Sequence, residues 1–253
     1  MLDLRLKRTY FLLFIVIVLS ACKTTNKIEP KTAEEAFNEG LRLFEKRDYI
    51  EALSFFDMIK LQFPGSAIAD KAQYYTAEIN FARKEYILAS FNYNRVRQIY
   101  PGSEFAKISL YKAGLSQYRL SPDHHKDQEY TIKAIKTLQD YQYYYSDKDD
   151  SLYIETDKMI LECRDKLGEK EFQIAELYKK LSSPRSAIIY YESVLKNFDD
   201  TKYYELAFLG KIEMLYWLKR NEEASNTELT YKNIFPNGKY FKELEDIKTK
   251  FLK

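Results

Sequence analysis

The sequence predicts an all-α fold, namely a right-handed α-solenoid of about five helix pairs with a C-terminal capping helix. One supporting observation is that apolar and small residues recur with a step of 37 residues over three successive segments. Another is the composition, since 16% of the residues are aromatic while only 7 are Gly and 6 are Pro. Such a composition favours packed helices over a β-rich or disordered chain. Because repeats of this kind bury their apolar faces only against their neighbours, we expect an elongated array with a groove.

Three columns of the repeat stay in register without gaps. They are Phe37, Tyr74 and Tyr111; Gly40, Ala77 and Gly114; and Phe44, Phe81 and Tyr118. In the first unit the apolar spacing predicts one helix over 33–46 and a second over 50–62. The second helix should end at the segment 63–66, which contains Pro64 and Gly65, because proline cannot continue a helix. The small residues of the middle column leave room for the neighbouring helix.

Counted from Ala33, the eighth, seventeenth, twentieth, twenty-fourth and thirty-second positions are Gly40, Tyr49, Ala52, Phe56 and Pro64. This pattern resembles the tetratricopeptide repeat (TPR), and the unit from Asp70 matches it again without gaps. The later units depart from it. An insertion at 121–128 interrupts the third, and an extra helix at about 151–167 follows it. Asp199 and Asp200 stand where the fourth repeat should have proline. The sequence therefore does not determine the backbone path at this turn. The predicted repeats span about 33–66, 70–103, 107–146, 168–201 and 205–238.

The N-terminus predicts a lipoprotein signal peptide over residues 1–21. Basic residues precede an apolar run over 10–19, and Leu19-Ser20-Ala21-Cys22 follows it as a lipobox. A membrane-spanning helix fits less well, since crossing a bilayer takes roughly 20 apolar residues. Cys22 is therefore the predicted site of lipidation, its thiol being the nucleophile. Residues 22–31 would form a lipidated linker, and 32–253 the TPR solenoid.

Three further features of the sequence bear on localisation, disulfide bonding and nucleic-acid binding. No aspartate follows Cys22 at the second mature position, which in similar lipoproteins implies sorting to the outer membrane, with the periplasmic face expected. The one other cysteine, Cys163, leaves the mature chain no intramolecular disulfide and is expected to be buried. The formal charge of +2 provides no field suited to nucleic acid.

A candidate peptide-binding groove follows from the TPR register, since the fifth, ninth and twelfth positions of a first helix tend to face the concave surface. In the first three repeats the large apolar residues at these positions are Phe37, Leu41, Phe44, Tyr74, Phe81, Tyr111, Leu115 and Tyr118. Planar, amphipathic rings would suit an extended peptide that ends in an aromatic residue. The alternative is that the rings only pack one repeat on the next, because aromatic stripes at helical spacing are usually core.

No catalytic constellation stands out, so the chain is not expected to be an enzyme. The only histidines, His124 and His125, are adjacent in the polar insertion and lack the spacing of a helical metal pair. No phosphate-binding loop or Gly-x-Ser-x-Gly motif is present. We therefore expect no metal and no cofactor apart from the covalent lipid on Cys22.

Taken together, the lipobox, the five repeats and two local segments resemble the BamD family of lipoproteins of the outer-membrane β-barrel assembly machinery. The segments are 114–122 (GLSQYRLSP) and 164–178, which opens with Arg-Asp-Lys-Leu. The resemblance implies a scaffold whose C-terminal repeats dock on the POTRA domains of BamA. It also implies that the N-terminal repeats face unfolded outer membrane β-barrel proteins.

Two alternatives remain open at the level of the sequence. One is another periplasmic TPR lipoprotein that acts as a cell-envelope adaptor, although such proteins usually carry a coiled-coil segment that this sequence lacks. The other is a nutrient-binding lipoprotein on a helical-repeat scaffold, a class that is usually longer.

Overall fold

The computed structural model describes residues 30–251, and over that range the chain is helical with no strand. The helices are α1 (Ala33–Glu45), α2 (Tyr49–Gln62), α3 (Ala69–Ala82), α4 (Tyr86–Ile99), α5 (Ala106–Leu120), α6 (Glu129–Tyr144), α7 (Ser151–Lys180), α8 (Pro184–Asn197), α9 (Tyr203–Trp217), α10 (Asn221–Ile234) and α11 (Phe241–Phe251). Each helix from α1 to α10 packs mainly on its neighbours in the chain, and α5, α7, α9 and α11 also contact one another in succession. This is the predicted TPR solenoid with its capping helix.

Four of the five pairs share one turn between their two helices. Arg47, Lys84, Ser182 and Lys219 all have φ between 56° and 61°, the left-handed region that usually favours glycine. The next residue closes each turn with a backbone bond to the first helix, as Asp48 N does to Leu43 O at 2.9 Å. This arrangement satisfies the last carbonyls of each first helix. The third pair lacks it, because the insertion at 121–128 replaces the turn.

The sequence predicted an extra helix ending near Leu167 and a new repeat from Gly168, but the structure has the single 30-residue helix α7. No proline or capping residue interrupts this stretch, and a lone glycine inside a helix costs only about 1 kcal/mol relative to alanine. The first half of α7 packs Met159 and Ile160 on the third repeat. Its second half packs Ala175 in the C-terminal core. One helix thus serves two neighbouring repeats.

The turn at Asp199 and Asp200 follows the same path as the proline-containing turns. Thr201 N donates to Phe198 O at 3.2 Å, as Ser66 N donates to Phe63 O at 3.0 Å. The substitution of two aspartates for Pro-Gly therefore changes the charge of this turn and leaves its hydrogen-bond pattern in place.

Large side chains of second helices lie under small residues of first helices, either of the same pair or of the next one. Phe56, Leu138 and Tyr191 are fully buried, and they contact Gly40, Gly114 and Gly210, respectively. A Cβ added at Gly210 would lie 2.2 Å from Cζ of Tyr191. Gly65 and Gly102, in the turns between repeats, have open space around them.

Buried tyrosines of the second helices donate to glutamates of the first helices. Tyr93 OH donates to Glu78 Oε1 at 2.5 Å, and Tyr191 OH donates to Glu176 Oε1, each over fifteen residues. Burial, followed by the neighbouring carboxylate, raises the pKa of both phenols, which therefore stay protonated as donors. The first repeat has Phe56 in place of the tyrosine and Leu41 in place of the glutamate, so it has neither the buried hydroxyl nor its acceptor at these positions.

We expect Gly210→Ala to lower the free energy of unfolding by about 1–3 kcal/mol, because the added methyl group overlaps a rigid, fully buried ring. The matched change Gly102→Ala should be neutral or stabilising by about 0.4–1 kcal/mol, since nothing lies near its Cβ. Urea unfolding of both variants tests this. Equal stability of the two would contradict the proposed packing.

We expect Glu176→Leu to cost about 1–3 kcal/mol, because it leaves the buried hydroxyl of Tyr191 without its acceptor. Adding Tyr191→Phe should recover much of that loss, since the pair then matches the phenylalanine and leucine of the first repeat. A double-mutant cycle by chemical denaturation measures the coupling. Glu222→Leu, on the exposed face of α10, is the control and should stay within about 0.5 kcal/mol of the parent. Purely additive effects would argue against the hydrogen bond as a stabilising contact.

Candidate functional site

The predicted groove residues of the first two repeats are all half-buried, and three of them pack between repeats. The ring of Phe37 lies 5.6 Å from that of Tyr75, and the ring of Phe44 lies 5.3 Å from the same residue. Tyr74 stacks on Phe105 at 4.5 Å. Each of these contacts joins one repeat to the next. Phe81 packs against the second helix of its own repeat, and Leu41 is half-buried.

The third repeat continues this packing. Tyr111 is only 5% exposed, which removes its ring from any groove surface. Leu115 packs in the same cluster. The hydroxyl of Tyr118 donates to Glu162 of α7, and this bond, together with burial, raises the pKa of Tyr118 to about 12. The stripe therefore holds repeats together, and any peptide contact is restricted to the ring edges that stay exposed. A recognition role for these residues stays a prediction.

A polar cluster joins the second and third repeats beside the stripe. Lys112 Nζ of α5 lies 2.5 Å from Glu78 Oε1 and 3.3 Å from the hydroxyl of Tyr74. Because Glu78 also accepts from Tyr93, one carboxylate connects α3, α4 and α5. The cluster is charge-balanced and part-buried, so we assign it a structural role.

A cleft of about 560 Å³ opens at the C-terminal repeats, between the turn after α8 and the turn after α10. Aromatic side chains line it, namely Tyr203, Tyr204, Phe235 and Tyr240. Glu205 fixes one side of it, because this carboxylate accepts from Tyr231 OH at 2.9 Å and from Lys239 N at 2.6 Å. A rim of mixed charge around apolar rings is the composition of a protein-docking surface.

On the other side of this cleft, Arg164 pairs with one of the two aspartates. Its Nε and Nη2 lie 2.5 and 2.7 Å from the two carboxylate oxygens of Asp200, a bidentate pair. The Asp199 side chain is 70% exposed and lies 3.9 Å from the same guanidinium. Asp199 therefore presents most of its carboxylate to solvent, across the cleft from Lys239.

The capping helix α11 is held by two carboxylates that are themselves largely buried. Glu213 pairs with Lys179 and Lys250 at 2.6 and 2.9 Å, and Glu228 pairs with Lys248 at 3.1 Å. Burial by itself would raise the pKa of Glu213, but the two ammonium groups outweigh it and hold that pKa below its usual range. The buried side chain of Leu244 adds an apolar contact. The cap thus completes the C-terminal core beside the cleft.

The remaining sequence candidates fall in three places. Cys22 and the predicted signal peptide lie outside the described residues. Cys163 is buried as expected, and burial raises the pKa of its thiol to about 11, so it is a poor nucleophile. His124 is in the insertion loop, and its Nδ1 lies 3.4 Å from Oε1 of Glu169 on α7. Between residues 30 and 251 there is no group of side chains suited to a metal ion, and no helix with both the length and the apolarity to cross a bilayer.

Sequence reasoning missed the tyrosine–glutamate pairs and the C-terminal cleft. The pairs carry a signal in retrospect, because Glu78 and Tyr93 have the same separation as Glu176 and Tyr191. No sequence pattern within a single repeat indicates the cleft. Two turns about 35 residues apart form it, a separation close to one repeat.

The chain is similar to a protein family and to several known proteins. Residues 29–230 match the family model YfiO, described as outer membrane lipoprotein. The outer membrane protein assembly factor BamD of Rickettsia prowazekii is 27% identical over 236 residues, which cover 91% of this chain and 92% of that protein. The protein of the same name from Caulobacter vibrioides is 22% identical, covering 87% and 72% of the two chains.

Among solved structures, a thermophilic TPR protein of Thermus thermophilus is 16% identical, with a TM-score of 0.36 over 87% of this chain and 97% of that one. The match to the family model, however, covers well over half of the sequence. The chain therefore belongs to the YfiO family of outer membrane lipoproteins.

Proposed function

We propose that the chain is a non-enzymatic, lipid-anchored scaffold of the β-barrel assembly machinery, facing the periplasm from the outer membrane. It docks on the POTRA domains of BamA and helps deliver unfolded outer membrane β-barrel proteins for folding and insertion. The observation that supports this most is the similarity, over nearly the whole of both chains, to an outer membrane protein assembly factor.

The C-terminal cleft is the proposed BamA-docking site. It combines aromatic rings with exposed charges of both signs, and the ion-paired cap helix and the turn fixed by Arg164 hold its walls. Such pre-formed walls reduce the ordering cost of association. The cleft also lies in the repeats that the family resemblance assigns to BamA.

Contact with unfolded substrates is proposed for the first helices of the N-terminal repeats as a group. Phe37, Phe44, Tyr74 and Tyr118 keep partly exposed edges there while packing between repeats. Weak contacts to ring edges suit transient handling of many extended sequences better than tight recognition of one.

The lipid on Cys22 is the proposed membrane anchor, and a second acyl chain on the freed amine would make the attachment stable. We expect Cys22→Ser to abolish lipidation, because a serine hydroxyl is far less nucleophilic than a thiol at neutral pH. Metabolic labelling with a palmitate analogue measures this. Cys163→Ser is the matched control, since Cys163 is buried in the folded chain, and it should label like the parent. Undiminished labelling of Cys22→Ser would contradict the assignment.

We expect the double charge reversal Asp199→Lys with Lys239→Glu to reduce recovery of BamA at least about tenfold. The reason is that a BamA surface complementary to the native charges would then face like charges. Co-purification of BamA from detergent-solubilised outer membranes measures the effect. The control is Lys71→Glu with Glu104→Lys, which reverses an exposed pair with a 3.4 Å separation in the N-terminal half. Unchanged recovery with the C-terminal variant would move the docking site away from the cleft.

A further inference from the structure

The outward side of α4 is apolar, although it faces solvent. Ile87, Leu88 and Phe91 are 57%, 51% and 56% exposed. At about 100° per residue they share one side of the helix with Arg95 and Ile99, opposite the buried Ala89 and Tyr93. We call these five residues (Ile87, Leu88, Phe91, Arg95 and Ile99) the α4 outer face.

Other second helices within residues 30–251 also expose large apolar side chains, such as Ile50 on α2, Ile132 on α6 and Ile189 on α8, but only α4 exposes three of them within five residues. Where α4 has Leu88 and Phe91, the first repeat has Glu51 and Ser54 at the same register. The fifth repeat has Glu223 and Asn226. The difference is confined to outward positions, so solenoid packing does not require it. Exposed apolar surface that packing does not explain marks an interaction site.

The charge around the α4 outer face is positive. The guanidinium of Arg95 lies 5.7 Å from the ring centre of Phe91, and α4 contains no acidic residue. Arg83 and Lys84 are exposed in the turn before it. The carboxylate there, Glu85, is already paired with Arg83 at 2.8 Å. Apolar side chains flanked by Lys84 and Arg95 match the boundary between acyl chains and anionic headgroups.

The chain itself would hold this face near a bilayer. Ala33 follows Cys22 by eleven positions, so even at full extension the first repeat begins within about 40 Å of a lipid on Cys22. We propose that the α4 outer face seats on the anionic phospholipid surface of the membrane that carries the anchor. Ile87, Leu88 and Phe91 enter the headgroup boundary, and Arg95 pairs with phosphate. The inference rests on the proposed lipid anchor, which supplies the proximity, and it fixes the orientation of the second repeat.

The test uses a tryptophan reporter in the lipidated full chain, reconstituted into vesicles that contain anionic phospholipid. Trp217 is the only tryptophan, so Trp217→Phe gives a silent background. In it, Phe91→Trp should shift to shorter emission wavelength and lose most of its emission to brominated lipids. Ser54→Trp, at the matching position of the first repeat, should stay at the emission of an exposed tryptophan and resist quenching. Ile87→Trp is a second reporter on the same face, should Phe91→Trp fold poorly.

Three outcomes would overturn the proposal. One is that vesicles float with the protein while the Phe91→Trp reporter resists quenching, which leaves the anchor intact and refutes the membrane contact. Another is a blue shift that appears without vesicles and grows with protein concentration, which assigns the face to a second copy. The third is protection of the reporter by purified BamA but not by lipid. Loss of quenching on adding Leu88→Glu, the residue type of the first repeat, would support the proposal. Failure of the protein to float in high salt would instead count against the lipid anchor.

Discussion

The constraint on which this solenoid depends is that a large side chain must be buried beneath each first helix without leaving any polar end unsatisfied. A buried hydroxyl with no partner costs about 1–3 kcal/mol. Glu78 and Glu176 remove that cost for Tyr93 and Tyr191, and Glu205 does so for Tyr231 from the start of the fifth repeat. The first repeat avoids the problem with a phenylalanine. A small residue above the buried side chain is then required, which explains Gly40, Gly114 and Gly210.

The two ends of the array differ in how their cores are connected. The C-terminal repeats share one continuous apolar cluster that runs from Ala175 to Leu244, and paired ammonium groups hold the cap to it. The N-terminal repeats divide into three smaller clusters. Because repeat stability is a sum of local interfaces, the continuous core gives fixed walls to the cleft proposed for BamA. The more divided core lies at the end where contact with unfolded chains is proposed.

The sequence was sufficient for the fold class, because the 37-residue step reports the packing directly. It also located the turns after α2, α4 and α10, since proline and glycine mark them. The predicted helix end near Leu167 is wrong, because α7 continues through Gly168 at little cost. The sequence could not decide whether the aromatic stripe is groove or core, because periodicity shows which residues share a side and not what covers that side. Tyr111 illustrates this, since α6 buries a ring whose register equals that of the half-buried Tyr74.

The continuous helix α7 imposes a condition on how the chain can change length. It rises about 45 Å along its axis, at 1.5 Å for each of its 30 residues. Inserting or deleting one residue near Gly168 would rotate everything beyond that point by about 100° relative to the repeats before it. Length variation within the family should therefore collect in loops such as 121–128 and 145–150, while α7 is inherited at constant length. A relative with a different residue count in α7 would have to rebuild the angle between its two halves.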